Sequence, residues 1–205
     1  CVSGRTAGLQ MSEAYRDGLI DLQDAHSQAS VTLLDPELSG PILDYCAGGG
    51  GKSLALAAWL GGPVHAHDVN PRRMVDLPTR AERSNAQIST RTKDQFAHEY
   101  GVVFCDAPCS GSGSWRRDPE GKWALTQDQL DALISTQREI LSDAAKLVAP
   151  DGRLVYATCS VLACENQDQI DLFTVQNPKW RVEVQKQWIP SAHGDGFFAS
   201  VLTQL

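Results

Sequence analysis

Residues 41–53, Pro41-Ile42-Leu43-Asp44-Tyr45-Cys46-Ala47-Gly48-Gly49-Gly50-Gly51-Lys52-Ser53, decide how the rest of the chain is read. A short apolar run ends in an acid, four glycines follow, and the segment up to Leu60 is helix-forming. Strand, glycine turn and helix make the unit with which open α/β sheets cradle a nucleotide. Glycine lets the backbone approach a ligand closely, and the helix N-terminus offers free N–H groups. Val64-His65-Ala66-His67-Asp68 is a second strand, and Asp68 ends it about 20 residues on, where an acid hydrogen-bonds ribose hydroxyls. A glycine run by itself suits any tight turn; paired with Asp68 it points to a nucleoside-bearing cofactor.

The alternation continues on both sides of this unit. Residues 23–34 suit a helix that Asp35-Pro36 stops. Asn70 caps a helix with Pro71 in its first turn, and Pro78 should interrupt it. Residues 87–92 form a third strand, and Val102-Val103-Phe104-Cys105 a fourth. A long loop over 107–125 leads to the clearest helix, 126–148, whose apolar positions keep helical spacing. Pro150-Asp151-Gly152 is a turn, 153–157 a fifth strand, 165–175 a helix, and 180–189 with 196–202 a closing hairpin. Repeated β-then-α units imply a mostly parallel sheet with helices on both faces. The expected organisation is a lead-in from an upstream domain over 1–22 and one domain over 23–205.

Composition narrows the function classes. No apolar stretch reaches the roughly 20 residues of a membrane helix. The six cysteines, at 1, 46, 105, 109, 159 and 164, form no CxxC pair and no Cys/His zinc pattern, so no metal site is expected. The thiols are expected to be reduced, in the cytoplasm. His65, His67, His98 and His193 lack ligand spacing and read as surface or packing residues. A net charge of −7 argues against general nucleic-acid affinity. The local clusters Arg72-Arg73, Arg80, Arg83, Arg91 and Lys93, and then Arg116-Arg117 and Lys122, read first as solvated surface and only second as phosphate contacts.

Two cysteines stand apart. Cys109, in Asp106-Ala107-Pro108-Cys109-Ser110-Gly111-Ser112-Gly113, and Cys159, in Tyr156-Ala157-Thr158-Cys159-Ser160, each follow an apolar run that stops abruptly. Both therefore belong at C-terminal strand ends, where open α/β sheets place reactive groups. A thiolate is a strong nucleophile even when only slightly populated, so the pair suggests covalent chemistry on an electrophilic carbon. Cys105 reads as a small core hydrophobe and Cys164 as structural. Trp115 and Trp123 could stack on a base or pack a lid, and packing is the favoured reading.

A phosphate-binding loop is the rival for the glycines. Gly51-Lys52-Ser53 matches the end of G-x-x-x-x-G-K-[ST], and Asp106 after its apolar strand resembles a magnesium-binding acid. The first glycine of that motif would fall on Cys46, and the reading leaves Cys109 and Cys159 without a task. A nucleotide hydrolase is the weaker alternative.

Together the motifs resemble the RNA 5-methylcytosine methyltransferases of the Sun (NSUN) type. In that family the first segment reads D-x-C-A-A-P-G-G-K-T, the second D-A-P-C-S-G-x-G…R-R-x-P, and the third Y-x-T-C-S…E-N. This chain has Arg116-Arg117-Asp118-Pro119 and Glu165-Asn166 at the matching places. Residues 23–28 and Asp195-Gly196-Phe197-Phe198 resemble its flanking signatures. The family's Ala-Pro is Gly48-Gly49 here, which keeps open a catalytically silent relative that binds cofactor or RNA as a scaffold.

The resemblance implies a Rossmann-like, class I S-adenosylmethionine-dependent methyltransferase fold: α/β, with a mostly parallel seven-stranded sheet and an antiparallel C-terminal strand. It implies S-adenosylmethionine as cofactor, RNA as substrate (16S rRNA in the bacterial subgroup) and a monomer. By the same resemblance Cys159 attacks C6 of cytosine, which makes C5 enamine-like and able to take a methyl group. Cys109 aids product release. Asp106 holds the base near N3 and N4 and approaches the cofactor. Cys46, Ala47, Gly48, Gly49, Gly50, Gly51 and Lys52 would form the cofactor pocket, with Asp68 at the ribose, Asp94 near the adenine and Arg73 close by. For Asp68 and Asp94 the plain alternative is helix capping.

Overall fold

The computed structural model describes residues 8–96 and 99–205; Cys1 and His98 lie outside the described residues. In chain order the elements are α1 (Glu13–Arg16), α2 (Ala25–Val31), β1 (Ile42–Asp44), α3 (Gly51–Leu60), β2 (Val64–Ala66), α4 (Leu77–Arg83), β3 (Ile88–Thr90), β4 (Tyr100–Asp106), α5 (Pro119–Ala124), α6 (Gln127–Ala145), β5 (Val148–Thr158), α7 (Gln167–Gln176), β6 (Trp180–Trp188) and β7 (Phe197–Gln204). The seven strands lie in the order β3-β2-β1-β4-β5-β7-β6. Neighbouring strands from β3 to β5 pair parallel, and β7 runs antiparallel to both β5 and β6. The strand order reverses between β1 and β4, and α/β sheets open their ligand crevice at that point, beyond the carboxyl ends of the strands.

Successive residues of a strand face opposite sides. On β4, Val103 and Cys105 pack with Leu141, Ala144, Ile170 and Phe173 of α6 and α7. Val102 and Phe104 pack on the other side with Val31 and Leu56 of α2 and α3. Both faces are covered, so β4 reads as an unbroken apolar run rather than an alternating one. Burial of Phe104 alone contributes about 1.5–3 kcal/mol. Helix α6 starts at a reciprocal cap: Gln129 N–H donates to Thr126 Oγ1 at 3.3 Å, and Thr126 N–H to Gln129 Oε1 at 2.9 Å.

Some boundaries differ from the sequence reading. The helix expected to reach Val148 ends at Ala145, and Val148 opens β5 by pairing with Tyr100; Arg153 then pairs with Val102 across an irregularity that absorbs Pro150-Asp151-Gly152. An apolar residue satisfies either a helix or a strand pattern, and the partner strand decided. The 107–125 loop contains a short helix, α5, with Pro119 in its first turn. The break expected at Pro78 falls earlier: Pro71–Met74 is a 3-10 turn, and Pro78 sits in the first turn of α4, where its missing N–H costs nothing. Residues 15–21 pack on α4. The Arg83 guanidinium lies 3.9 Å from the centre of the Tyr15 ring, and Asp21 pairs with Arg80 and Arg83 at 3.1 and 2.7 Å.

Candidate active site

The turn from β1 to α3 bends through left-handed backbone at Gly48 (φ 52°) and Gly50 (φ 82°). A Cβ on Gly50 would stand 2.2 Å from Leu77 Cδ1. The first turn of α3 has no side-chain cap. Asp68 is buried beside the turn: its Oδ2 accepts from Gly48 N–H and its Oδ1 from Asn70 N–H, both at 2.9 Å. The Arg73 guanidinium covers this carboxylate at 3.3 Å. A cradle that excludes Cβ atoms, an uncapped helix N-terminus and an acid after β2 fit a ligand that carries a ribose and an anionic group.

Asp94 does not join this group. It is exposed in the turn Lys93–Gln95, and its hydrogen bond with Thr92 holds the carboxyl below its ordinary value. Cys46 is half-buried, and burial pushes its thiol up. Asp44 is a motif residue to which the sequence reading gave no role. It is fully buried, accepts from Ser53 Oγ at 2.6 Å through Oδ2, and leaves Oδ1 without a hydrogen bond. Burial pushes its carboxyl up to about 7.

Lys52 is engaged by side chains of the protein. Its Nζ donates to Ser27 Oγ at 2.6 Å and to Asp106 Oδ2 at 3.0 Å, and lies 4.4 Å from the centre of the Phe197 ring. A phosphate-loop lysine would be free to reach its ligand; this one is buried in an ion pair. The pair joins the glycine turn to the end of β4 and fixes Asp106 at the strand switch.

The two thiols meet. Cys109 Sγ and Cys159 Sγ are 3.3 Å apart. Strands β4 and β5 are parallel neighbours in which Asp106 pairs with Ala157, so the turns after them leave the sheet side by side. Ala107 N–H donates to Ala157 O at 2.8 Å, and Gly113 N–H to Cys159 O at 3.0 Å. The contact with Cys109 lowers the Cys159 thiol, against burial and Asp106 and with help from Lys52. The same contact and burial hold Cys109 well above its ordinary value. The two thiols are thus shifted in opposite directions, Cys159 down and Cys109 up. A groove of about 450 Å³ opens at Cys109 between α5 and α6, lined in part by Ala124, Leu125, Ala132 and Leu133.

Arg116 and Arg117, which read as solvated surface, both pair with the buried Asp195, whose backbone N–H donates to Asp24 at 3.0 Å. His26 Nδ1 contacts Asp195 O at 2.5 Å. The flanking signatures at 23–28 and 195–198 thus close one side of the site. Trp115 is half-buried, but Trp123 is 81% exposed, which overturns its reading as lid packing. Cys105 is fully buried, as expected. His65 and His67 bond Tyr100 Oη at 2.9 Å and Arg91 O at 3.0 Å, which agrees with packing roles. Among the described residues no His/Cys/Asp/Glu group is arranged to hold a metal, and no helix is long and apolar enough to cross a membrane.

Known proteins share this fold. The profile of the family described as 16S rRNA methyltransferase RsmB/F matches residues 31–203. The ribosomal RNA small subunit methyltransferase B of Pasteurella multocida (strain Pm70) is 32% identical, over 94% of this chain and 48% of its own length. The chain spans about half the length of the curated relatives it matches. The crystal structure of PH0851 superposes with a TM-score of 0.87 at 30% identity, covering 95% of this chain and 49% of that one. NSun6 from Pyrococcus horikoshii, solved with SFG, has the same fold, with a TM-score of 0.84 at 21% identity over 95% of this chain and 56% of that one. The sheet order with its one antiparallel strand, β7, is that of the class I methyltransferase fold implied by the resemblance. With its profile matched from residue 31 to residue 203, the chain belongs to the 16S rRNA methyltransferase RsmB/F family.

Proposed function

We propose that this chain carries S-adenosylmethionine-dependent methylation of C5 of a cytosine in RNA, with 16S rRNA as the substrate. The observation that carries the reading is the 3.3 Å contact between the Cys109 and Cys159 sulfurs at the ends of adjacent strands. Cys159, whose ionisation Cys109 and Lys52 favour, forms the carbon–sulfur bond at C6. Asp106, fixed by Lys52, holds the base near N3 and N4. Residues 46–52 and Asp68 would bind the cofactor, with Arg73 close by on Asp68; the bound cofactor supplies the activated methyl group. Release requires transfer of the C5 proton to solvent water acting as base, re-formation of the C5–C6 double bond from that C–H electron pair, and departure of the Cys159 thiolate with the electrons of the C6–S bond. The Cys109 thiol, 3.3 Å from that sulfur, stabilises the departing thiolate by donating its S–H to it. Asp94 keeps only the family resemblance as support for a place near the adenine.

The target base must leave its stack to reach two half-buried thiols. We assign residues 23–205 to the catalytic domain, residues 1–22 to a lead-in, and the assembly to a cytoplasmic monomer. The test is adduct formation. Cys109→Ala should accumulate a denaturation-resistant covalent complex with RNA, and Cys159→Ala should form none. The reverse pattern overturns the assignment of roles. Calorimetry should show binding of S-adenosylmethionine and none of ATP with magnesium.

A further inference from the structure

Glu165 belongs to neither thiol turn, yet both turns are tied to it. It ends the short 3-10 turn Ala163–Glu165 ahead of α7 and is fully buried. Its Oε1 accepts from Ser110 N–H at 2.8 Å and from Gln137 Nε2 of α6 at 3.1 Å. Its Oε2 accepts from Ser110 Oγ at 2.5 Å and Ser160 Oγ at 2.6 Å. Ser110 follows Cys109 and Ser160 follows Cys159, so one carboxylate grips the residue next to each sulfur. Its own backbone is anchored on β5, because Tyr156 Oη donates to Glu165 O at 2.6 Å. Gln137 Nε2 also donates to Pro108 O at 3.0 Å, tying the residue before Cys109 to the same network.

The network has a fixed polarity. Ser160 Oγ accepts from Leu162 N–H at 3.0 Å and lies 2.8 Å from Ser112 Oγ, which itself accepts from Val161 N–H at 2.9 Å. With Ser112 donating, both lone pairs of Ser160 are taken and its proton must go to Glu165. Ser110 Oγ likewise accepts from Ser112 N–H at 3.3 Å and sends its proton to Glu165. All four groups facing the carboxyl are donors. A carboxylate accepts on both oxygens; an amide of the same shape would turn N–H groups towards two of those donors.

We propose that Glu165 is a positioning residue that sets the distance between the Cys109 and Cys159 sulfurs, so that the attacking thiol and the thiol assisting its departure address one base. The proposal rests on the thiol-addition reading above. The charge of Glu165 also contributes, after the Cys159 contact and burial, to holding Cys109 protonated.

The experiment uses the full chain and two readouts, one independent of methylation. Diamide takes one hydrogen from each of two apposed thiols and leaves a disulfide, so the rate of Cys109–Cys159 oxidation, read by mass spectrometry, reports their apposition. In Glu165→Gln, with folding checked by circular dichroism, this rate should fall about tenfold and kcat about 100-fold, while KM for S-adenosylmethionine stays unchanged. Oxidation at the wild-type rate overturns the proposal, whatever happens to kcat. If the wild type oxidises readily, Glu165→Gln slowly, and neither methylates RNA, the positioning role stands and the methylation reading falls. Should Glu165→Gln not fold, Ser160→Ala cuts one strut only. Slower oxidation in that variant supports the proposal, and wild-type oxidation overturns it.

Discussion

Gly50→Ala tests the glycine turn most directly. Gly50 has φ 82°, in the left-handed region that costs an L-residue about 1–2 kcal/mol. The new Cβ would also meet Leu77 Cδ1 at 2.2 Å and Cγ at 3.0 Å, and Leu77 is buried on α4 with Met74, Ala47 and Ala66. Forcing such a side chain aside costs about 1–3 kcal/mol. The sum, about 2–5 kcal/mol, lowers Tm by roughly 4–20 °C for a domain of this size. Calorimetric unfolding measures it. Gly49→Ala is the internal control. Gly49 is not in left-handed backbone, and its Cβ would meet only Arg80 Nη1, at an ordinary 3.8 Å. Alanine there should be neutral or stabilise by about 0.4–1 kcal/mol through the unfolded chain. A double-mutant cycle with Leu77→Ala separates the terms, because it removes the collision and leaves the backbone strain. Coupling of at least about 1 kcal/mol is expected. A Tm for Gly50→Ala within about 1 °C of wild type, or strict additivity with Leu77→Ala, would refute the reasoning.

Two further outcomes follow from the titrating groups. The contact with Cys109 lowers the Cys159 thiol, so in Cys109→Ala the midpoint for alkylation of Cys159 by iodoacetamide should move to higher pH; an unchanged or lower midpoint counts against the thiol pair. Asp44 is raised by burial from 3.8 to about 7. Its folded value lies above its unfolded one, so the stability it contributes is complete below about 3.8 and is lost as pH rises through about 7, a span worth up to about 4 kcal/mol. Urea unfolding at pH 4.5 and pH 8 should therefore move in favour of Asp44→Asn by a few kcal/mol on going to the higher pH. A difference independent of pH would show that Asp44 does not titrate in this window.

Local chemistry was legible wherever it had a local cause. The strand–glycine–helix unit, the cap at Asn70 and the strand-end positions of Cys109 and Cys159 each follow from residues within a few places of one another. Where two local patterns accept the same residue, as at Val148, or where a helix lasts barely a turn and a half, as α5 does, the reading went astray. Asp94 sits after β3 as the motif order implies, yet its side chain bonds to Thr92 and faces solvent. Order along the chain fixes the strand end, not the direction of a side chain.

The sequence by itself determined the composition of this protein's site: a glycine turn, an acid after β2, and two thiols after strands that had to be buried. Only the tertiary structure decided which of these meet. The parallel pairing of β4 with β5 brings sulfurs 50 positions apart to 3.3 Å. The burial of Lys52 against Asp106 and Ser27 argues against a phosphate lysine. Glu165, a motif residue to which the sequence reading gave no role, becomes the shared acceptor of two turns. Hydrophobic periodicity and capping act over a few residues and are written along the chain. Hydrogen bonds between distant turns depend on strand order and register, and those exist only once the sheet has formed.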